Sequence, residues 1–384
     1  MLLEQLWQDV PELPNHIRRQ SLVADAESVW VMLRQLMLAY APSTGAVLPG
    51  SIFEQVSDIA AVFGLADRLD ISLGGAGCAG LWLGVAKEQV DLVVLAHLDR
   101  LTFRVQSVQD EHTALVSPIC VTNMSNEIVP APARSFRFNA QRGRIQVVAQ
   151  GQLSLGPDDA YYFEIERGSL APLDLITLDL QPRRQGSWVR GSGLDNAAGV
   201  LSTLAVASVL RQVEEVLLEH NRRCLFIFPD RQDFSPDMLW TNGLGQNIRP
   251  ALGTVMVDGQ VIESETLHYE AGMGYSFASS GQCGLLVPTN YQQLTWDLAS
   301  TFETYMPAIA QHNYVVGPGL SQPCIGDFRG RILGLMGPPV SSPHAGQEIV
   351  HIKDIQAGIW WLSCYLSFVL ELVPSVSVKY ALGR

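Results

Sequence analysis

The stretch "VDLVVLAHLD", Val90 to Asp99, decides how the chain is read. Leu92 to Ala96 are apolar on five successive residues. A strand with one wet face alternates, so an unbroken run predicts a strand covered on both faces, as in the interior of an α/β sheet. The run ends in His97 and Asp99, which share one strand face. An imidazole placed there needs polar partners, which makes His97 a candidate site residue and Asp99 its nearest companion.

Outward from this strand, the N-terminal side reads as helices over 1–41, broken at "VPELP", and a helix over 51–66 ending near Gly64. "LDISL" and "AGLWLGVA" read as strands. Beyond it, residues 106–186 change character. Short alternating segments such as "SFRFNA", "RIQVVAQ" and "YYFEIE" are punctuated by Gly, Pro, Asn and Asp, which predicts a small all-β insertion. A long helix is then expected over 194–220, strands over 223–228 and 251–258, a helix over 294–310, a strand at "RILGLMG" and a closing helix over 352–372. Strands alternating with helices predict an α/β fold with a doubly wound mixed sheet. The domain reading is an N-terminal helical extension (1–30), a main domain from 31–105 and 187–384, and the β-rich insertion at 106–186.

The formal charge of −13 opposes nucleic acid and anionic membrane surfaces as partners. Six cysteines sit far apart with no CxxC pair, which suits reduced thiols in a cytoplasm and argues against a cysteine-held zinc. The first residues carry acids where a signal peptide needs a basic start. The longest apolar run, "GIWWLSCYLSFVL" at 358–370, is too short to span a bilayer. A cytoplasmic protein with no membrane or nucleic-acid partner is expected. "GAGCAG" at 75–80 satisfies GxGxxG, but a strand follows it where the dinucleotide fingerprint needs a helix, so a tight turn is expected instead.

Polar residues recur at strand ends. "GSGLDNAAG" places Asp195 before the long helix, "FIFPDRQDF" follows a strand with Asp230 to Asp233, "VMVD" ends in Asp258, and "SSPHAGQE" places His344 before the last helix. Ligands of open α/β sheets gather beyond the carboxyl ends of strands, and histidines with carboxylates there suit zinc or another borderline cation. Each residue has a plainer reading. Asp195 is also a helix N-cap, Asp258 with Gly259 is also a turn, and His344 is also a loop histidine. The order of the motifs outweighs any one of them.

That order resembles the glutamyl/leucyl aminopeptidase family of dinuclear metallopeptidases, which includes the tetrahedral aminopeptidases. "MLRQLMLAYAPSTG" (32–45) resembles its opening helix and Pro-Ser-Gly turn. "AHLDRLTFRV" resembles its His-x-Asp-x-x-Gly strand, with Thr102 where glycine is usual. "SGLDNAAG" resembles its Leu-Asp-Asn/Asp-Arg-Ala-Gly segment, with Ala197 in place of arginine, and "SSPHAGQEIVHIKDI" its His-Ser-x-x-Glu segment. The resemblance implies two divalent ions, zinc or cobalt first, bridged by Asp195. His97 and Asp258 complete one site, and His344 with Asp233 the other. Asp99 would hold the unliganded nitrogen of His97. It further implies a cis Asp195–Asn196 peptide, short peptides as substrates, and a homodimer or larger homo-oligomer built through the β-rich insertion.

One segment departs from the family. Where it ends a strand with adjacent glutamates, a general base followed by a metal ligand, this chain has Gln232 and Asp233. Glutamine accepts no proton at neutral pH, and the shorter reach of aspartate weakens that metal site. A slipped register would put Asp230 at the base and Arg231 at the ligand. Two readings therefore stand: a metal-dependent aminopeptidase-like hydrolase, and a catalytically degenerate homologue acting as a peptide-binding or scaffold protein.

Overall fold

The apolar run at 92–95 forms the third strand among the described residues, in the middle of an eight-stranded sheet. The computed structural model describes residues 2–23, 25–43, 45, 48–71, 73, 78–119, 130–230, 248–262, 266–278, 286–313, 331–344 and 346–383. Four helices come first: α1 (Leu2–Asp9), α2 (Leu13–Val23), α3 (Ala26–Leu38) and α4 (Ile52–Val62). Asp25 starts α3 by accepting the main-chain N–H groups of Glu27 and Ser28 at 2.7 and 2.9 Å, an N-cap that satisfies otherwise orphaned donors. Strands β1 (Leu69–Asp70), β2 (Cys78–Gly84) and β3 (Leu92–Leu95) follow.

The chain then builds β4 (Thr102–Val108), β5 (Thr113–Pro118), β6 (Ala131–Asn139), β7 (Arg144–Leu155), β8 (Tyr161–Gly168) and β9 (Leu175–Leu178). These close into a barrel in the order β4-β5-β8-β7-β6-β9. Its core holds Phe103, Val105, Leu153, Phe163 and Ile176, the inward positions of strands whose side chains alternate between faces. Closure leaves no open strand edge within the barrel.

The remainder comprises β10 (Arg183–Gln185), β11 (Trp188–Gly191), α5 (Leu194–Gln212), α6 (Glu214–Glu219), β12 (Arg223–Pro229), β13 (Gly253–Val257) and β14 (Gln260–Val261). After these come β15 (Met273–Ser276), α7 (Thr289–Tyr305), β16 (Ala310–His312), β17 (Ile332–Gly337), β18 (Pro339–Val340), β19 (Glu348–His351), α8 (Ile352–Val369) and α9 (Pro374–Lys379). The large sheet runs β1-β2-β12-β3-β13-β17-β15-β16. Its centre, β12-β3-β13-β17, is parallel, and antiparallel pairings join β2 to β12 and β15 to β17. The fold is thus mixed α/β with a small inserted β unit.

From β3 the chain makes the barrel and α5, returns as β12 on one side, and then crosses to the other side as β13. That reversal opens a crevice at the carboxyl end of β3, where α/β sheets place their ligands. Helix α5 is buried on all sides from Leu194 to Leu210, as a helix without a polar face must be. It packs on α8, whose Trp361, Tyr365 and Phe368 are fully buried. The 358–370 run is therefore core, and among the described residues no helix is long and apolar enough to cross a membrane.

Two expected helices differ. The 194–220 helix breaks at Val213, whose φ of −112° and ψ of 24° are not helical, into α5 and α6; Glu214, the first residue of α6, accepts from Gly84 N and Arg68 Nη2, both at 2.8 Å. The 294–310 helix instead spans Thr289–Tyr305. Pro307 forces Met306 out of the helical region, to φ −148° and ψ 82°, and Ala310 joins β16.

Candidate metal centre at the carboxyl ends of β3 and β13

His97 lies two residues beyond β3 and is 2% exposed. Its Nδ1 sits 3.1 Å from the main-chain oxygen of Asp99 and 3.4 Å from Asp99 Oδ1. Both neighbours are acceptors, so the ring proton resides on Nδ1, and the lone pair of Nε2 is left for other work. The main-chain oxygen makes the shorter of the two contacts.

Nε2 of His97 points to two carboxylates. Asp258 Oδ1 is 3.2 Å away and Asp195 Oδ1 is 3.7 Å away. One donor atom from each of the three residues lies within 4.8 Å of the others. Four ligands held at about 2.0–2.1 Å around a tetrahedral cation stand about 3.3 Å apart, so these separations fit a cation between them. Asp195 Oδ1 is buried and makes no hydrogen bond among the described residues. An orphaned carboxylate oxygen beside an imidazole lone pair is a further mark of a site built for a cation.

Asp195 has extended rather than helical angles (φ −81°, ψ 105°) at the head of α5, and its peptide bond to Asn196 is cis. Asn196 Nδ2 donates to the Val257 carbonyl at 2.7 Å, tying this turn to the end of β13 beside Asp258. Asp258 in turn donates its N–H to Met336 O at 2.8 Å. Gly337 follows directly, and a Cβ there would fall 1.6 Å from the Asp258 carbonyl oxygen. Only glycine allows this approach of backbones.

His344 approaches from the loop before β19. Its Nε2 is 3.5 Å from Asp195 Oδ2, so the two oxygens of one carboxylate face two different histidines. Glu348 holds this arrangement together. Its Oε2 accepts the main-chain N–H of Asp195 at 2.9 Å and its Oε1 that of His344 at 3.3 Å. Glu348 is not among the sequence-predicted site residues, although it ends the His-Ser-x-x-Glu-like segment four residues after His344, which is the signal that points to it.

The charges are coupled. Burial pushes the Asp195 carboxyl up, but His97 and His344 together hold it below its ordinary value. Burial and the neighbouring Asp195 charge keep Asp258 above its own, against the pull of His97. Glu348 is pushed up to about 7 by burial and by Asp195. Carboxylates crowded in this way favour a cation that neutralises them.

The structure thus brings together His97, Asp99, Asp195, Asp258 and His344. Gln232 and Asp233 lie outside the described residues. Asp230 directly follows β12, is fully buried and is not part of the three-donor cluster. Thr102, in place of glycine, donates to Arg100 O at 2.7 Å, and Ala197 is buried in α5.

No family model and no curated protein matches the sequence. Solved structures do match its fold. An aminopeptidase from the archaeon Desulfurococcus kamchatkensis superposes with a TM-score of 0.68 at 15% identity, covering 90% of this chain and 96% of that one. A TET aminopeptidase from Thaumarchaeota archaeon SCGC AB-539-E09 gives 0.67 at 12% identity, over 90% and 99%. A Thermotoga maritima protein described as an endoglucanase gives 0.61 at 15% identity, over 90% and 99%. At such identities the likeness establishes architecture: this chain has the fold of the two archaeal aminopeptidases over nine-tenths of its length.

Proposed function

We propose that the protein is a metal-dependent, aminopeptidase-like hydrolase that releases N-terminal residues from short peptides at a two-metal site bridged by Asp195. The observation that carries this reading is the placement of Asp195 Oδ1 and Oδ2 before two different histidines, at 3.7 and 3.5 Å. His97 and Asp258 would hold one divalent cation, and His344 with Asp233 the other, zinc or cobalt suiting these nitrogen and oxygen donors. A cation so held acidifies water and polarises a carbonyl. Asp99 keeps the His97 proton on Nδ1, and Glu348 holds Asp195 and His344 in register through their main-chain N–H groups. A homodimer or larger assembly through the β-barrel belongs to the same reading.

Gln232 favours a second reading. An amide accepts no proton at neutral pH, so the chain lacks the general base unless another group serves, and a degenerate homologue that binds peptides without cleaving them becomes the alternative. Two fold relatives are named aminopeptidases and a third an endoglucanase, so the fold does not select the reaction.

The test is metal analysis of the purified protein together with a panel of aminoacyl substrates on wild type, Gln232→Glu and His97→Ala. Bound divalent metal that is lost in His97→Ala supports the centre. No uptake by wild type, with His97→Ala changing nothing, sinks it. Hydrolysis appearing only in Gln232→Glu selects the degenerate homologue.

A further inference from the structure

We infer that Ser43 is a positioning residue for His97, acting through Asp99; the inference rests on the metal-centre reading above. Ser43 is 1% exposed and lies five residues past the end of α3. Its hydroxyl donates to Asp99 Oδ2 at 2.6 Å, across 56 residues of sequence. The other carboxylate oxygen of Asp99 and its main-chain oxygen face His97 Nδ1, at 3.4 and 3.1 Å. Two donors, the hydroxyl and the imidazole N–H, thus converge on Asp99 from opposite ends. The Ser43 bond selects which oxygen Asp99 turns to the ring, and the ring orientation sets where Nε2 points, 3.2 Å from Asp258.

Ser43 can do this because its own backbone is anchored to the same loop. Arg100, the residue after Asp99, donates its N–H to Ala41 O at 3.0 Å, and Pro42 and Arg100 form a parallel bridge. The buried Arg100 guanidinium donates to Met37 O at 2.6 Å, Ala39 O at 3.1 Å and Leu36 O. These are carbonyls at the end of α3, the negative pole of the helix, and Leu36 O also accepts the Ala39 N–H at 3.2 Å. Burial pushes Arg100 down to about 10, so it keeps its charge at neutral pH. The end of α3 and the end of β3 are therefore one mechanical unit, with Ser43 and Asp99 facing each other across it.

The experiment is titration of metal-free protein with cobalt(II) in competition with a chelator, on wild type, Ser43→Ala, Asp99→Ala and the double variant. Asp99→Leu, which likewise offers Ser43 no acceptor, replaces Asp99→Ala if the alanine protein does not fold. A charge-assisted hydrogen bond in the shell behind a ligand is worth about tenfold in affinity. Ser43→Ala is therefore expected to weaken cobalt binding by the folded protein about tenfold, and also to lower the metal-free denaturation midpoint, since a buried carboxylate oxygen loses this donor. Removal of Asp99 is expected to weaken it by about 10–100-fold, with no further loss in the double variant, since Ser43 then has nothing to act through. Wild-type affinity in Ser43→Ala, or a Ser43→Ala loss that persists in full without Asp99, overturns the assignment. A wild-type protein that takes up no cobalt removes the metal centre itself, a failure seen before any variant is compared.

Discussion

Nε2 of His344 lies 3.5 Å from Oδ2 of Asp195. The other oxygen of that carboxylate, Oδ1, is the one 3.7 Å from His97. One side chain thus serves two neighbourhoods, and the two can be separated experimentally. Wild-type protein dialysed against zinc is expected to retain two ions per chain. His344→Ala should retain one, and Asp195→Ala none, as read by elemental analysis. Two ions in Asp195→Ala would remove the bridge.

Gln232→Glu restores a proton acceptor at the position where the family resemblance places the general base. General acid–base assistance is worth about 10²–10⁴-fold, so hydrolysis of an aminoacyl substrate is expected to rise by that factor over wild type. An unchanged rate would mean that Gln232 does not occupy the base position.

Glu348 should give the metal-free protein an inverted pH dependence. Its carboxyl is raised from 4.5 to about 7 by burial and by the neighbouring Asp195 charge. A raised acid favours the folded state fully below pH 4.5, and that contribution is lost as pH climbs through 7. The loss is about 3 kcal/mol at most. Denaturant melts of metal-free protein should therefore show stability falling across this window, and Glu348→Gln should flatten the fall. With zinc bound the slope should reverse, because the ligands take metal only when deprotonated.

Gly337→Ala tests the close approach of β17 to Asp258. The added carbon would sit 1.6 Å from the Asp258 carbonyl oxygen, so one backbone must yield. Overpacking of this kind costs about 3 kcal/mol, measurable as a lowered denaturation midpoint, and metal affinity should fall with it as Asp258 moves.

Much of the site was legible because its residues follow from where buried strands stop. An unbroken apolar run ends at Ala96, and a polar residue directly after it can only sit at the sheet's carboxyl edge, which located His97; the same logic located Asp258 after β13. Asp195 and His344 needed motif order, since a helix start and a loop histidine have ordinary explanations. Glu348 stands at the glutamate of the His-Ser-x-x-Glu-like segment, but its contacts are with main-chain N–H groups, which no residue pattern displays. The helix boundaries at Val213 and Met306 differ from the expected ones for local reasons: a departure of the Val213 backbone from helical angles, and a proline, Pro307, inside the expected 294–310 helix.

The sequence by itself determined the alternation of strands and helices, the β-rich segment between β3 and α5, and the residue types gathered at strand ends, because burial writes its period directly into the chain. Only the tertiary structure decided that Asp195 faces two histidines, that Glu348 holds Asp195 and His344 through their main-chain N–H groups, and that Ser43 meets Asp99 across 56 residues. Those relations depend on distances of a few ångströms between segments remote in sequence, and such distances exist only once the sheet, the barrel and α5 have packed.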